Sequence, residues 1–208
     1  SRPGASTGYK PSAAQTPSFV LGFHGCDKTV AERVLAGAGK QHLKRSTNRH
    51  DWLGNGIYFW ESSPQRAMEW AEYVRDNPSV SSGKIETAAV VGAIIDLGYC
   101  GMLHDRAFLA ELRQAHDLLT QALSSAGLPL PTNQGGPDKA RRLLDCAVIE
   151  YLHTLREAEK LHKYDTIRSV FSEGSNLYPG TSFTEKSHIQ LVVRDERRIR
   201  GYFRPIPD

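Results

Sequence analysis

Cysteine is scarce: Cys26, Cys100 and Cys146 stand far apart in a chain of 208 residues. An odd, dispersed set builds neither a disulfide framework nor a zinc site and points to reduced thiols in a cytosol-like compartment. Nowhere is there an apolar run near the ~20 residues that a spanning helix requires. The first residues are polar where a secretion signal carries an apolar stretch. The expectation is therefore a cytoplasmic site of action without a membrane. Excess charge of either sign is also missing. A net +3 permits contact with an acidic partner but does not demand it. What remains, 39% hydrophobic and 24% charged residues, suits a globular chain long enough to bury a core.

Residues 1–17 are rich in Ser, Pro, Gly, Ala and Thr without periodic apolar positions, and read as a flexible tail or linker. Residues 18–208 read as the domain. Phe19, Leu21 and Phe23 alternate in a first strand at 18–24. A short helix at 28–36 carries Val30, Val34 and Leu35, with Asp27 as its cap and Gly37 and Gly39 at its end. A polar, basic loop at 40–54 leads to a short strand at 56–60. Pro64 then opens a helix at 64–76. The apolar run at 87–97 predicts a buried central strand. Helical periodicity follows over 105–126 and again over 138–162, separated by a Pro- and Gly-rich loop. Strands return at 166–171, 188–193 and 199–203. The expected fold is α+β: two small, mostly antiparallel sheets forming a split cleft, with a helical hairpin inserted at about 105–162 and lying outside the cleft.

Two segments carry chemistry. His24 closes the first strand, and Gly25 after it lets a ligand approach bare backbone. In the run Asp51-Trp52-Leu53-Gly54-Asn55-Gly56-Ile57-Tyr58-Phe59-Trp60, two glycines precede a strand of alternating aromatics. Tyr58 and Trp60 then share one face and Phe59 the other. Trp70 follows on a helix between Ala67 and Ala71, small neighbours that could let a flat ring approach a ligand. An aromatic core cluster is the plainer alternative for these residues taken alone.

The combination resembles the NAD-binding half of the ADP-ribosyltransferase superfamily: a strand ending in His-Gly, then Gly-x-Gly-Ile-Tyr-Phe, then Ala-x-x-Trp-Ala. It is similar to the branch that includes diphtheria toxin and the poly(ADP-ribose) polymerases, with Asp51-Trp52 closer to toxin-like members. The likeness is motif-specific from about Phe19 to Ala71 and weaker over the last third. It implies an enzyme that takes NAD+ as substrate, without a metal, and breaks the nicotinamide–ribose bond. His24 would bond a ribose hydroxyl and hold the bent dinucleotide. Gly25 would offer its N–H and C=O to the nicotinamide carboxamide. Tyr58 would stack on one face of the ring. Trp70, one residue further along than the family's usual second aromatic, would cover the other.

The family usually places a glutamate at the start of a late strand. Here that strand carries His188 and Gln190 on one face, after a Tyr178-Pro179-Gly180 loop that sits where relatives have a substrate-recognition loop. Gln190 best matches the catalytic position, with His188 assisting. A glutamine cannot supply negative charge or act as a base. Glu185, the nearest carboxylate, reads as a solvated loop charge.

The resemblance implies mono-ADP-ribosyl transfer to a protein or nucleic acid, in a toxin, effector or defence setting that would add an antitoxin or immunity partner. NAD+ glycohydrolysis is one alternative, and a catalytically weak NAD+ or ADP-ribose binding module is another. Cys26 lacks an orienting third group for nucleophilic work. Arg168 could meet a phosphate, although a structural salt bridge is the plainer reading. Lys40, His42, Lys44, Arg45, Arg49 and His50 could touch pyrophosphate or a nucleic-acid acceptor, or simply form a solvated loop.

Overall fold

A computed structural model describes residues 18–37, 41–81, 83–135 and 141–206. The tail at 1–17, Gly39, Lys40 and the expected helix start at 138–140 lie outside the described residues. In chain order the elements are β1 (Phe19–Asp27), α1 (Lys28–Ala36), β2 (Ile57–Glu61), α2 (Pro64–Asp76), β3 (Ala88–Asp96), β4 (Cys100–Met102), α3 (Arg106–Ser125), α4 (Leu143–Ala158), β5 (Thr166–Phe171), β6 (His188–Val193) and β7 (Ile199–Phe203). The fold is α+β, as the alternation of period-two and helical patterns implied.

Local chemistry sets the helix starts. Asp27 ends β1 and caps α1: its Oδ1 accepts from Thr29 N–H (2.9 Å), while its Oδ2 takes the N–H groups of Glu86 and Thr87 (2.8 and 3.0 Å). One carboxylate thus ties α1 to the approach of β3. These bonds hold its pKa well below the usual carboxylate range, led by the Thr29 hydroxyl. Asp105 caps α3 through Ala107 N–H (2.7 Å). The expected helix over 138–162 is shorter at both ends in the described residues. Asn133 Oδ1 accepts from Leu144 N–H (2.9 Å) at its start. At its end Lys160 takes a left-handed conformation (φ 57°) and Leu161 N–H reaches back to Arg156 O (2.7 Å). A lysine in the position that usually selects glycine hides this stop from sequence reading.

The strands form one seven-stranded sheet in the order β4-β5-β6-β2-β1-β3-β7, with only β4 and β5 parallel. This corrects the expectation of two separate sheets, although the two groups of strands are real. They join at β1 and β2, which share two residue pairs, Gly22 with Glu61 and Phe23 with Trp60. By contrast β1 and β3 share nine.

Side-chain alternation distributes the helices. One face carries Ile57, Phe59, Val91, Ile95, Leu191 and Val193, and packs against Val34 of α1 and against Leu43. On the opposite face, α2 seats Ala67 on Phe23 and Trp60. The α3–α4 hairpin covers Ile167 and Val192 on that same face through Phe108, Ala115, Ile149 and Leu152. The hairpin extends over β2 as far as Tyr58, which borders its core. It therefore reaches closer to the expected cleft residues than an insertion wholly outside the cleft. No helix among the described residues is long and apolar enough to cross a membrane.

Candidate functional site

The narrow join between β1 and β2 opens into a seam. Ser62 N–H donates to Leu21 O (2.9 Å), so alternate residues of β1 turn their peptide groups toward β2. Continuing the register of Phe23 with Trp60 would pair Gly25 with Tyr58, but the ladder stops short of them. His24 intervenes instead: its Nδ1–H donates to Tyr58 O at 2.7 Å, and its ring lies 5.9 Å from that of Phe59. The imidazole takes the carbonyl that Gly25 N–H would otherwise use. Gly25 is left with its N–H and C=O facing the seam and no strand partner there. Burial pulls the His24 pKa below its ordinary value, leaving a neutral ring whose Nε2 is an acceptor.

Gly25 is also sterically required. A Cβ there would stand 2.0 Å from Ala67 O and 3.2 Å from Ala71 Cβ. The alanines flanking Trp70 thus let the α2 backbone descend onto β1, rather than making room for a flat ring beside the tryptophan.

Tyr58 is held at the seam by both ends. Its carbonyl takes His24, and its hydroxyl donates to Gly54 O (2.8 Å) and accepts from Leu53 N–H (3.0 Å). Burial, followed by the charge of Asp51, raises its pKa, so the phenol stays protonated. The ring is half-buried, bordered by the hairpin. Trp70 is 38% exposed and meets Trp60 (6.1 Å between ring centroids) and Tyr73 (6.0 Å). Trp70 thus contacts Trp60, whose side chain shares a sheet face with that of Tyr58.

His188 and Gln190 do share a face, as parity required, but their surroundings differ. The amide oxygen of Gln190 accepts from Trp52 Nε1–H. Trp52 in turn packs on Phe171 (5.1 Å), with the Arg142 guanidinium over both rings. The residue expected to stand in for the glutamate therefore has its carbonyl oxygen committed to a structural contact.

His188 is buried between Trp60 (6.2 Å) and Phe171 (5.6 Å). Its Nδ1–H donates to Lys186 O (2.7 Å), which fixes the tautomer and leaves Nε2 as an acceptor. Burial lowers its pKa, opposed by that backbone bond; the cation of Arg66 lowers it further, while Glu173 and Glu69 act in the other direction. Glu173 lies 3.9 Å from His188 Nδ1 and pairs with Arg66 Nη2 at 2.9 Å; Arg66 also bonds Glu69.

Arg66 and Glu173 had no sequence motif. They meet because Phe171 pairs with His188 and Lys186 N–H donates to Glu173 O (3.1 Å), a closure of the 172–187 loop that only the register specifies. Glu185 is exposed. Leu177, Tyr178 and Phe183 of the same loop are exposed as well.

The remaining candidates have structural surroundings. Arg168 pairs with Glu61 at 2.6 Å. Burial pushes the thiols of Cys26, Cys100 and Cys146 up to about 11, which removes thiolate chemistry near neutral pH. In the basic stretch, Arg45 bonds Arg194 O and His42 bonds Tyr202 Oη (3.2 Å), while Lys44 and Arg49 are exposed. Comparison with protein-family models, with curated proteins and with solved structures finds no match to this chain.

Proposed function

We propose that this protein binds NAD+ in the β1–β2 seam and transfers ADP-ribose to a macromolecular acceptor with release of nicotinamide. The observation that carries this reading is the seam. A wedging histidine frees the N–H and C=O of Gly25, side by side, next to a tyrosine ring tethered through its hydroxyl. A primary carboxamide is the complement of such a pair, because it offers one acceptor oxygen and N–H donors. An electron-poor pyridinium ring suits the neighbouring aromatic surface of Tyr58, Trp60 and Trp70.

Each residue then has a part. Gly25 fixes the carboxamide and so orients the nicotinamide–ribose bond. Tyr58 presents a preformed ring face, and its bonded hydroxyl limits the entropy lost on binding. His24, neutral and with Nε2 free to accept, holds a ribose hydroxyl. When the C1′–N bond breaks, its electron pair stays on nicotinamide and the ribose becomes cationic; partial exclusion of water strengthens the electrostatic contacts around it. The acceptor is a protein or nucleic acid. The toxin-like pattern at Asp51-Trp52 supports an effector or defence role in a cytoplasm, which would have an antitoxin or immunity protein as partner.

Calorimetry tests the site. Tyr58→Ala and His24→Ala should each weaken NAD+ binding, Tyr58→Ala by about 1–3 kcal/mol on the scale of stacking losses. Unchanged affinity in both variants would refute the assignment. The acceptor class follows from incubating the protein with labelled NAD+ and cell lysate. Label lost to protease, to RNase or to DNase identifies it. Free nicotinamide without any labelled macromolecule would show hydrolysis instead.

A further inference from the structure

Three buried polar atoms without a hydrogen-bond partner belong to the cluster beside the seam: Trp60 Nε1, Arg66 Nε and His188 Nε2. Trp60 and His188 are in ring contact, and Arg66 and His188 both border Glu173. Leaving such atoms unpaired costs free energy, and in a native fold an ordered water or a bound ligand satisfies them.

Their chemistry is a matched set. The indole and guanidine N–H groups donate. The imidazole Nε2 accepts, because Nδ1–H is spent on Lys186 O. A hydroxyl has the complementary pattern: lone pairs for two donors and a proton for one acceptor. A carboxylate has no proton to offer Nε2, and an ammonium has no lone pair for the two N–H groups.

We propose that the ADP-ribosyl acceptor group is a neutral hydroxyl, an alcohol of the macromolecule with water as its substitute when none is present, held by Trp60 and Arg66 and deprotonated by His188 Nε2. This rests on NAD+ being the donor. In the step the nicotinamide–C1′ bond breaks with its electron pair left on nicotinamide. The hydroxyl oxygen bonds to C1′, and its proton passes to His188, which returns it to solvent. Glu173 stands beside the imidazolium that forms, 3.9 Å from its Nδ1. The work expected of a glutamate on β6 is thereby divided between a neutral base on that strand and a carboxylate on the preceding loop.

The test compares nucleophiles that do and do not carry a proton. Wild-type protein is incubated with NAD+ in buffer, in buffer with methanol, and in buffer with sodium azide. Free nicotinamide and the ribosyl products are then measured. The wild type should form ADP-ribose or its methyl glycoside, and their ratio separates water from alcohol as the source. His188→Ala should lose those products by about 100-fold or more, the usual scale for a removed base. Azide, an anion with no proton to remove, should restore nicotinamide release and give the ribosyl azide. His188→Gln, which refills the space with a polar group, should show the same azide rescue and guards against a folding defect.

Equal loss with azide and with hydroxyl nucleophiles in both variants would overturn the base assignment, as would undiminished methanol transfer. A wild type that binds NAD+ by calorimetry yet releases no nicotinamide with any of the three nucleophiles would also overturn it, while leaving NAD+ binding intact. Failure of the wild type to bind NAD+ would overturn the donor itself.

Discussion

Two buried polar clusters lie on the same face of the sheet, and they are finished differently. In the hairpin, Arg156 joins α4 to α3 through Glu111, to Tyr99 Oη (3.0 Å) and to His162 O (2.7 Å). Its guanidinium lies over the rings of Tyr99 and Tyr164, which stack on each other at 4.6 Å, and Tyr164 Oη closes the circuit on Glu111 (2.5 Å). Every nitrogen of that arginine has a partner. Beside the seam, Arg66 keeps an Nε with none, as do Trp60 and His188. The Arg156 network specifies packing, with His153 Nε2 beside Tyr164 its one neighbour left unpaired, whereas three unpaired atoms beside an opening in a sheet are suited to receive a ligand.

The strongest way to break this contrast is at Arg156. Arg156→Ala leaves the Glu111 carboxylate buried without its arginine and should destabilise the fold by about 3–5 kcal/mol. Thermal or denaturant unfolding would show it, and the double change Arg156→Met with Glu111→Leu should recover much of the loss. A single variant as stable as the parent would show that the hairpin network is not structural.

Next comes Trp70, partly exposed and remote from that network. Trp70→Ala should leave stability within about 0.5 kcal/mol while weakening NAD+ binding by about 1–3 kcal/mol. A melting point that drops along with the affinity would place Trp70 in the core instead.

The smallest effect is in pH dependence. Burial holds the pKa of His188 below its ordinary 6.5, with Arg66 acting in the same direction and Glu173 and Glu69 against it. A base must be neutral, so the rate should stay level as pH falls through 6.5 and decline only below it. Glu173→Gln removes one opposing charge and should move that acid limb lower still. A limb that moves upward would contradict the placement of Glu173 beside His188.

Much of the architecture was legible because it depends on local pattern. Alternation at Phe19, Leu21 and Phe23 marked β1, Pro64 marked α2, and the run of valines and isoleucines marked β3. The pairing of His24 with Gly25 was also visible, since a strand end followed by glycine is a contiguous signal. What escaped was set by distance in the chain. The three residues of β4 are too few for a period. The seam depends on where one ladder stops. The surroundings of Gln190 depend on Trp52, 138 residues away, reaching its amide oxygen. Parity placed His188 and Gln190 on a common face correctly, but a shared face does not decide which of two neighbours a tryptophan will engage.

The strand order carries a consequence for biosynthesis. β6 lies between β5 and β2 in the middle of the sheet, although it is the second-to-last strand of the chain described, and β7 completes the opposite edge. Until residues 188–203 leave the ribosome, β5 and β2 have no strand between them, and pairings of such long range form late. A nascent chain halted before residue 188 lacks both the strand that joins β5 to β2 and His188. Completion of the sheet and of the His188 cluster thus fall at the same moment, when residues 188–203 have been made.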